Sequence, residues 1–144
     1  MLPLAEYKTH NHVKFLLNYH FVFIPKRHKK VLLGDVATRT RQIFLELSIE
    51  KGWDILALEV APDHVHLFVA VKPTDTPVLV VKLFKGRSSR FLREEFPELK
   101  KLPSLWTSSY FVSTAGNISS QGYFVLDSRQ GLGLEFRSRI HPNL

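Results

Sequence analysis

The chain has 144 residues, 44% hydrophobic and 23% charged, the balance of a soluble globular protein forming one domain over 1–144 rather than a disordered chain. It contains no cysteine, which excludes disulfide frameworks, thiolate metal sites and cysteine nucleophiles. Lys and Arg number 20 against 13 Asp and Glu, and the resulting net charge of +7 suits phosphate-bearing partners.

No apolar run approaches a membrane span and no secretory signal is visible at the N-terminus, so the expectation is a cytoplasmic protein without a membrane partner. After an irregular lead-in, residues 15–24 (FLLNYHFVFI) are rich in aromatic and branched side chains and stop at Pro25, which predicts a buried strand. The basic run Lys26-Arg27-His28-Lys29-Lys30 follows as a loop. Asp35 reads as the cap of a helix over 36–51 with Gly52 beyond its end, and Val36, Ile43, Phe44 and Leu47 share one face. Residues 53–60 (WDILALEV) alternate as a strand, Ala61-Pro62-Asp63 is a short turn, and 64–71 (HVHLFVAV) is a second strand, giving a hairpin. Thr76-Pro77 opens a helix over 77–95 that stops before Pro97, and a Lys- and Pro-rich loop leads to a strand over 106–114.

Strand, helix, strand, strand, helix, strand is the split βαβ order of α+β, ferredoxin-like or RRM-like folds, an antiparallel sheet with helices on one face and its core over about 15–116. Beyond Gly116 the pattern fades. Asn117-Ile118-Ser119 starts a helix on paper, yet Gly122 and Tyr123-Phe124-Val125 are poor helix formers. The segment 117–144 is therefore expected as a C-terminal helix or tail, with a mobile end over 130–144.

His64 and His66 stand two apart on a predicted strand, so both imidazoles leave the same face and can converge on one divalent cation with a third ligand from elsewhere. Phe68 and Ala70 continue that face, and Val65, Leu67 and Val69 fill the other. Two surface histidines on a half-buried strand are the competing reading. Of the four tyrosines, Tyr19 and Tyr110 sit among apolar neighbours as core residues, Tyr7 lies in the lead-in, and Tyr123 lies late in the chain, free to approach a site. A phenol with an unperturbed pKa near 10 needs a cation or a base to attack phosphorus. On the second helix Lys82, Lys85, Ser89 and Arg93 recur at three and four residues as a cationic stripe, with Arg90 beside it, and Gly86 permits close backbone approach. With Lys26, Arg27, Lys29 and Lys30 this stripe can hold a nucleic-acid backbone irrespective of sequence; a solvated helix face is the alternative.

At these residues the chain resembles a known family. Pro62-Asp63-His64-Val65-His66-Leu67 is similar to the HUH motif (His, hydrophobic, His) of the single-tyrosine transposases of the insertion-sequence 200/605 family. Phe23-Ile24-Pro25-Lys26-Arg27-His28 resembles the family's aromatic strand followed by Lys and Arg. Lys82 to Arg90 resembles its Lys-Gly-x-Ser-Ser helix, and Trp106 to Val112 followed by Gly116-Asn117-Ile118-Ser119 resembles its last strand and exit. The resemblance runs from about Phe15 to Ser119 in one order.

The resemblance implies a homodimer with composite sites that cleaves and rejoins single-stranded or hairpin DNA at insertion-sequence ends. It implies a divalent metal, Mg²⁺ or Mn²⁺, on His64 and His66, and a tyrosine that forms a 5′-phosphotyrosine and frees a 3′-hydroxyl. Cationic grooves and stacking platforms would hold the DNA. The departure lies in the tail. The family carries tyrosine on a helix with glutamine four residues later; here the glutamine position matches Gln130, but Leu126 stands four before it. Tyr123 is the nearby tyrosine, and its i+4 neighbour Asp127 is a credible oxygen ligand. Tyr123 is thus the candidate nucleophile, with Asp127 or Gln130 as third ligand. A catalytically inactive relative that dimerises and binds DNA hairpins is the alternative, and an RNA-binding module with an RRM-like sheet is a third reading.

Overall fold

The computed structural model describes residues 16–114 and, as strands, Tyr123–Asp127 and Gly131–Arg137. The chain runs through strand β1 (Leu17–Phe23), helix α1 (Gly34–Lys51), strands β2 (Asp54–Ala61) and β3 (His64–Val71), helix α2 (Pro77–Glu95) and strand β4 (Ser109–Thr114). Two short 3-10 turns, Lys26–His28 and Pro97–Lys101, follow β1 and α2. Strand β5 is Tyr123–Asp127 and β6 is Gly131–Arg137. β1 pairs antiparallel with both β3 and β4, and β2 with β3. The resulting order β2-β3-β1-β4 is the four-stranded antiparallel, ferredoxin-like sheet expected from the alternation of strands and helices, with both helices on one face.

Each element follows from local chemistry. In β3 the fully buried Val65, Leu67 and Val69 alternate with the half-buried His64, His66 and Phe68, and in β1 the fully buried Phe21 and Phe23 share the covered side, so one face of the sheet is apolar and covered. α1 covers it with Val36, Ala37, Ile43, Phe44 and Leu47, and α2 with Val80, Val81, Phe84 and Leu92. Phe44 and Phe84 meet with ring centroids 4.7 Å apart where the helices cross, and Trp53 and Phe23 close round them at 5.6 and 6.4 Å from Phe84. Rings buried this completely each contribute on the order of 2–3 kcal/mol through removal from water. The Thr76 hydroxyl accepts the amide of Leu79 (3.2 Å) and Pro77 follows it, so α2 begins as expected.

Asp35, in contrast, is not the cap of α1. The chain turns at Gly34, whose φ of +51° suits glycine, so Leu33 is the cap and Asp35 falls in the first turn, where its charge favours the helix dipole. Gly52 ends the helix in the left-handed conformation. The last core strand is also shorter than expected: Trp106 makes only an isolated bridge to Pro25, and pairing starts at Ser109.

The larger difference lies in the C-terminal segment. Residues 123–127 and 131–137 are not helix or tail but strands, and β5 on β4 with β6 on β5 extends the sheet to β2-β3-β1-β4-β5-β6. Tyr123-Phe124-Val125 is aromatic and branched, material that suits a pleated ladder and loses side-chain freedom in a helix. Asn117-Ile118-Ser119, where a helix was expected to begin, lies outside the described residues.

Candidate active site on the open sheet face

The sheet face away from the helices carries the two histidines. His64, His66 and Phe68 are half-buried on that face while Val65, Leu67 and Val69 point into the core, as period two requires. Asp63, in the turn before β3, accepts a hydrogen bond from His64 Nδ1 at 3.1 Å. A carboxylate can only accept, so Nδ1 carries the proton and the lone pair is on Nε2. That Nε2 is buried and has no hydrogen-bond partner among the described residues. The His64 hydrogen bond, helped by the charge of Lys30, holds the Asp63 carboxyl below the usual carboxylate range.

His20 on β1 joins this pair. Its ring lies edge-on to His66, centroids 5.3 Å apart at 72°, and 4.3 Å from Phe68 at the same angle. Burial pushes the pKa of His20 down, and the neighbouring His66 adds to it. Burial also pushes His66 down; Glu59, opposite it in the β2–β3 register, works against the shift and His64 adds to it. Both imidazoles are thereby biased toward the neutral form that ligates metals. Beside them opens a half-open cavity of about 160 Å³ lined by His20, Ala57, Leu58, Glu59, His66 and Phe68. Neither His20 nor Glu59 stood out in the sequence. The available signal was parity: His20 pairs with Phe68, and residues directly opposite across strands share a face.

The donor set fits a divalent ion in part. His64 offers a buried lone pair oriented by a carboxylate, the arrangement that fixes tautomer and ring orientation in metal sites. His66 supplies a second imidazole, which burial biases toward the neutral form. Among the described residues no group of three His, Asp or Glu stands ready to complete the site. Of the third-ligand candidates, Asp127 lies on β5 and Gln130 lies outside the described residues.

Register places Tyr123 relative to the histidines. His66 pairs with Val22, Val22 with Phe111 and Phe111 with Val125, one row across the sheet, and Tyr123 is two residues further along β5. β5 is three strands from β3, about 14 Å of backbone at roughly 4.8 Å per strand.

The basic residues separate into two groups. Leu32 donates its amide to Pro62 (3.0 Å) and Lys26 donates to Leu105 (2.8 Å), so the loop carrying Lys26, Arg27, Lys29 and Lys30 is fixed beside the turn that presents Asp63 and His64. Within it Arg27 and His28 take the left-handed conformation, φ 61° and 55°. Arg27, Lys29 and Lys30 are exposed. On α2, Lys82 and Arg90 are exposed and Ser89 is half-buried, but Lys85 and Arg93 turn inward. Lys85 Nζ donates to the carbonyls of Thr107 (2.7 Å) and Ser109 (3.1 Å) and lies 5.2 Å from the Tyr110 ring centre. Arg93 donates to the Leu102 carbonyl (3.1 Å). The stripe read from helical spacing is therefore half solvent-facing and half a clasp on the segment leading into β4. A Cβ added at Gly86 meets nothing within 4 Å, so the helix surface there is open.

Comparison with known proteins gives concordant findings. The family model described as "Transposase IS200 like" matches residues 13–123. The ISDra2 transposase TnpA of Deinococcus radiodurans is 33% identical over 117 residues, covering 79% of this chain and 83% of that protein. The transposase for insertion sequence element IS200 of Salmonella typhimurium is 28% identical over 116 residues, covering 78% and 76%. Among solved structures, a Deinococcus radiodurans transposase crystal structure superposes with a TM-score of 0.70 at 33% identity, covering 78% of this chain and 88% of that one. A REP-associated tyrosine transposase bound to a REP hairpin shares the fold, with a TM-score of 0.52 at 14% identity over 78% of this chain and 64% of that one. The matched family segment ends at Tyr123, so Asp127 and Gln130 lie beyond it.

Proposed function

The chain belongs to the IS200-like transposases, and from that membership we propose that it cleaves and rejoins single-stranded DNA at insertion-sequence ends through a 5′-phosphotyrosine. The observation that carries this reading is the His64 imidazole, its Nδ1 committed to Asp63 and its buried Nε2, beside His66, without a partner among the described residues. His64 and His66 would hold a divalent ion, Mg²⁺ or Mn²⁺, with Asp127 or Gln130 as the third ligand. When bound, such an ion supplies Lewis-acid stabilisation of charge developing on the scissile phosphate.

The remaining steps belong to the side chains of this chain. Tyr123 Oη attacks phosphorus; the new P–O bond forms as the P–O3′ bond breaks, and the 3′ oxygen leaves as a hydroxyl. The reverse attack rejoins the strand, the covalent link having conserved the bond energy. Lys26, Arg27, Lys29, Lys30, Lys82, Ser89 and Arg90 face the DNA backbone, and Lys85 and Arg93 support that surface from within. About 14 Å of sheet between β3 and β5 favours a tyrosine delivered by a second copy, hence a homodimer with shared sites. The REP-associated relative, bound to a hairpin on the same scaffold, makes hairpin-bearing single strands the DNA to test first.

The test uses oligonucleotides carrying the DNA that flanks this protein's own gene, with Mg²⁺ or Mn²⁺, resolved on denaturing gels. Tyr123→Phe is expected to lose the covalent protein–DNA adduct and keep hairpin binding; an undiminished adduct identifies another nucleophile. One observation favours a second reading, a hairpin-binding relative without cleavage: Tyr123 begins a strand, with leucine rather than tyrosine four residues before Gln130. Any nicking by the wild-type chain that EDTA abolishes eliminates that reading.

A further inference from the structure

The half-open cavity of about 160 Å³ beside His66 has a composition that a metal site does not need. Phe68 and His20 meet nearly at right angles, 4.3 Å between centroids, and make an aromatic corner. Ala57 and Leu58 of β2 line the cavity with apolar surface, and Glu59, exposed on the edge strand, is its one acidic lining residue. His20, His66 and Glu59 all line the cavity, but among the described residues no three ligating side chains are grouped so that they could hold a metal ion. Apolar and aromatic walls with one acceptor-only group match a flat heteroaromatic ring that carries a hydrogen-bond donor on its edge.

We propose that this cavity seats the unpaired nucleobase of the nucleotide next to the scissile phosphate, and that Glu59 selects bases carrying an exocyclic amine over thymine. The proposal rests on the single-stranded DNA reading above and adds to it a base-selective pocket. His66 is shared by the candidate phosphate site and the cavity, and Phe68 follows it on the same face about 7 Å along the strand, an offset like that between phosphate and base within one nucleotide. Stacking on the Phe68–His20 corner is indifferent to base identity, because every base has a π face. Selectivity falls to Glu59: its carboxylate accepts from the exocyclic amino group of cytosine, adenine or guanine, whereas thymine presents its O4 acceptor at that position and keeps its one edge donor, N3–H, on the ring.

The experiment measures fluorescence anisotropy of labelled dC12 and dT12 with the full chain and its variants. Wild type is expected to bind dC12 about five-fold tighter than dT12. Glu59→Gln should erase that ratio, since an amide both donates and accepts. Phe68→Leu should weaken both oligonucleotides by roughly five-fold or more while leaving the ratio near that of wild type. Glu59 is exposed, so its variant tests selectivity without disturbing the core. Equal binding of dC12 and dT12 by wild type, or a ratio that survives Glu59→Gln, overturns the pocket while leaving the single-stranded DNA reading intact. A wild-type chain that binds neither overturns both.

Discussion

Removing Asp63 from His64 tests how the candidate metal site is organised. The 3.1 Å hydrogen bond from Nδ1 fixes one tautomer and one ring orientation, and so aims the buried Nε2 lone pair. Losing such a supporting partner typically lowers metal affinity by about 10–100-fold, or roughly 1.4–2.7 kcal/mol. The side chains of Asp63 and His64 are 37% and 16% exposed, so solvent screens the charge of Asp63 and most of the effect comes from orientation. Asp63→Asn keeps an oxygen that can accept from Nδ1 and should fall near the ten-fold end. Asp63→Ala leaves the ring free to turn and should approach a hundred-fold. Isothermal titration of the full chain with Mn²⁺ measures both, with His64→Ala as the reference for loss of the ligand. If both Asp63 variants titrate like wild type while His64→Ala loses binding, Asp63 does not orient the ligand.

Two further predictions concern groups whose roles the structure separates. Tyr110 is buried, its hydroxyl has no hydrogen-bond partner among the described residues, and burial pushes its pKa up to about 12 from 10.0. Folded-state pKa above unfolded means the neutral phenol contributes fully below pH 10 and its contribution is lost as pH rises toward about 12; Tyr110→Phe should flatten that loss in urea melts across alkaline pH and add roughly 1 kcal/mol of stability at neutral pH, and a destabilised variant would show that the hydroxyl is satisfied. Lys82→Ala and Arg90→Ala should each reduce the salt dependence of single-stranded DNA binding by about one phosphate contact with melting unchanged, whereas Lys85→Met and Arg93→Met should lower the melting temperature, and a uniform effect of all four on salt dependence would contradict the inward placement of Lys85 and Arg93.

The core was legible from sequence because its signals are local. Period two over 64–71, a proline and a hydroxyl at 76–77 and a glycine after Lys51 each act within a few residues. His64 and His66 were legible for the same reason. What escaped needed distance: His20 reaches the site only through the β1–β3 register, and helical spacing places Lys85 on a stripe without revealing carbonyls of residues 107 and 109 behind it. Asp35 misled because a capping residue type near a helix start counts for less than the backbone turn at Gly34. At the C-terminal end the composition of Tyr123-Phe124-Val125 argued against a helix, while the resemblance argued for one; the structure has a strand there, which neither reading named.

The basic loop after β1 has a consequence for the timing of encounter with DNA. Its left-handed turn at Arg27 and His28 is a conformation that non-glycine residues adopt at a cost of about 1–2 kcal/mol each, and it is held in place by hydrogen bonds from the Lys26 amide to the Leu105 carbonyl at one end and from the Leu32 amide to the Pro62 carbonyl at the other. A segment stitched at both ends moves with the sheet instead of sampling its own conformations. If its cations meet DNA phosphates as proposed above, they do so from a backbone already arranged, and little backbone entropy is lost on contact. Ordering of the loop is then no gate on association, and capture can proceed at the rate set by diffusion and charge.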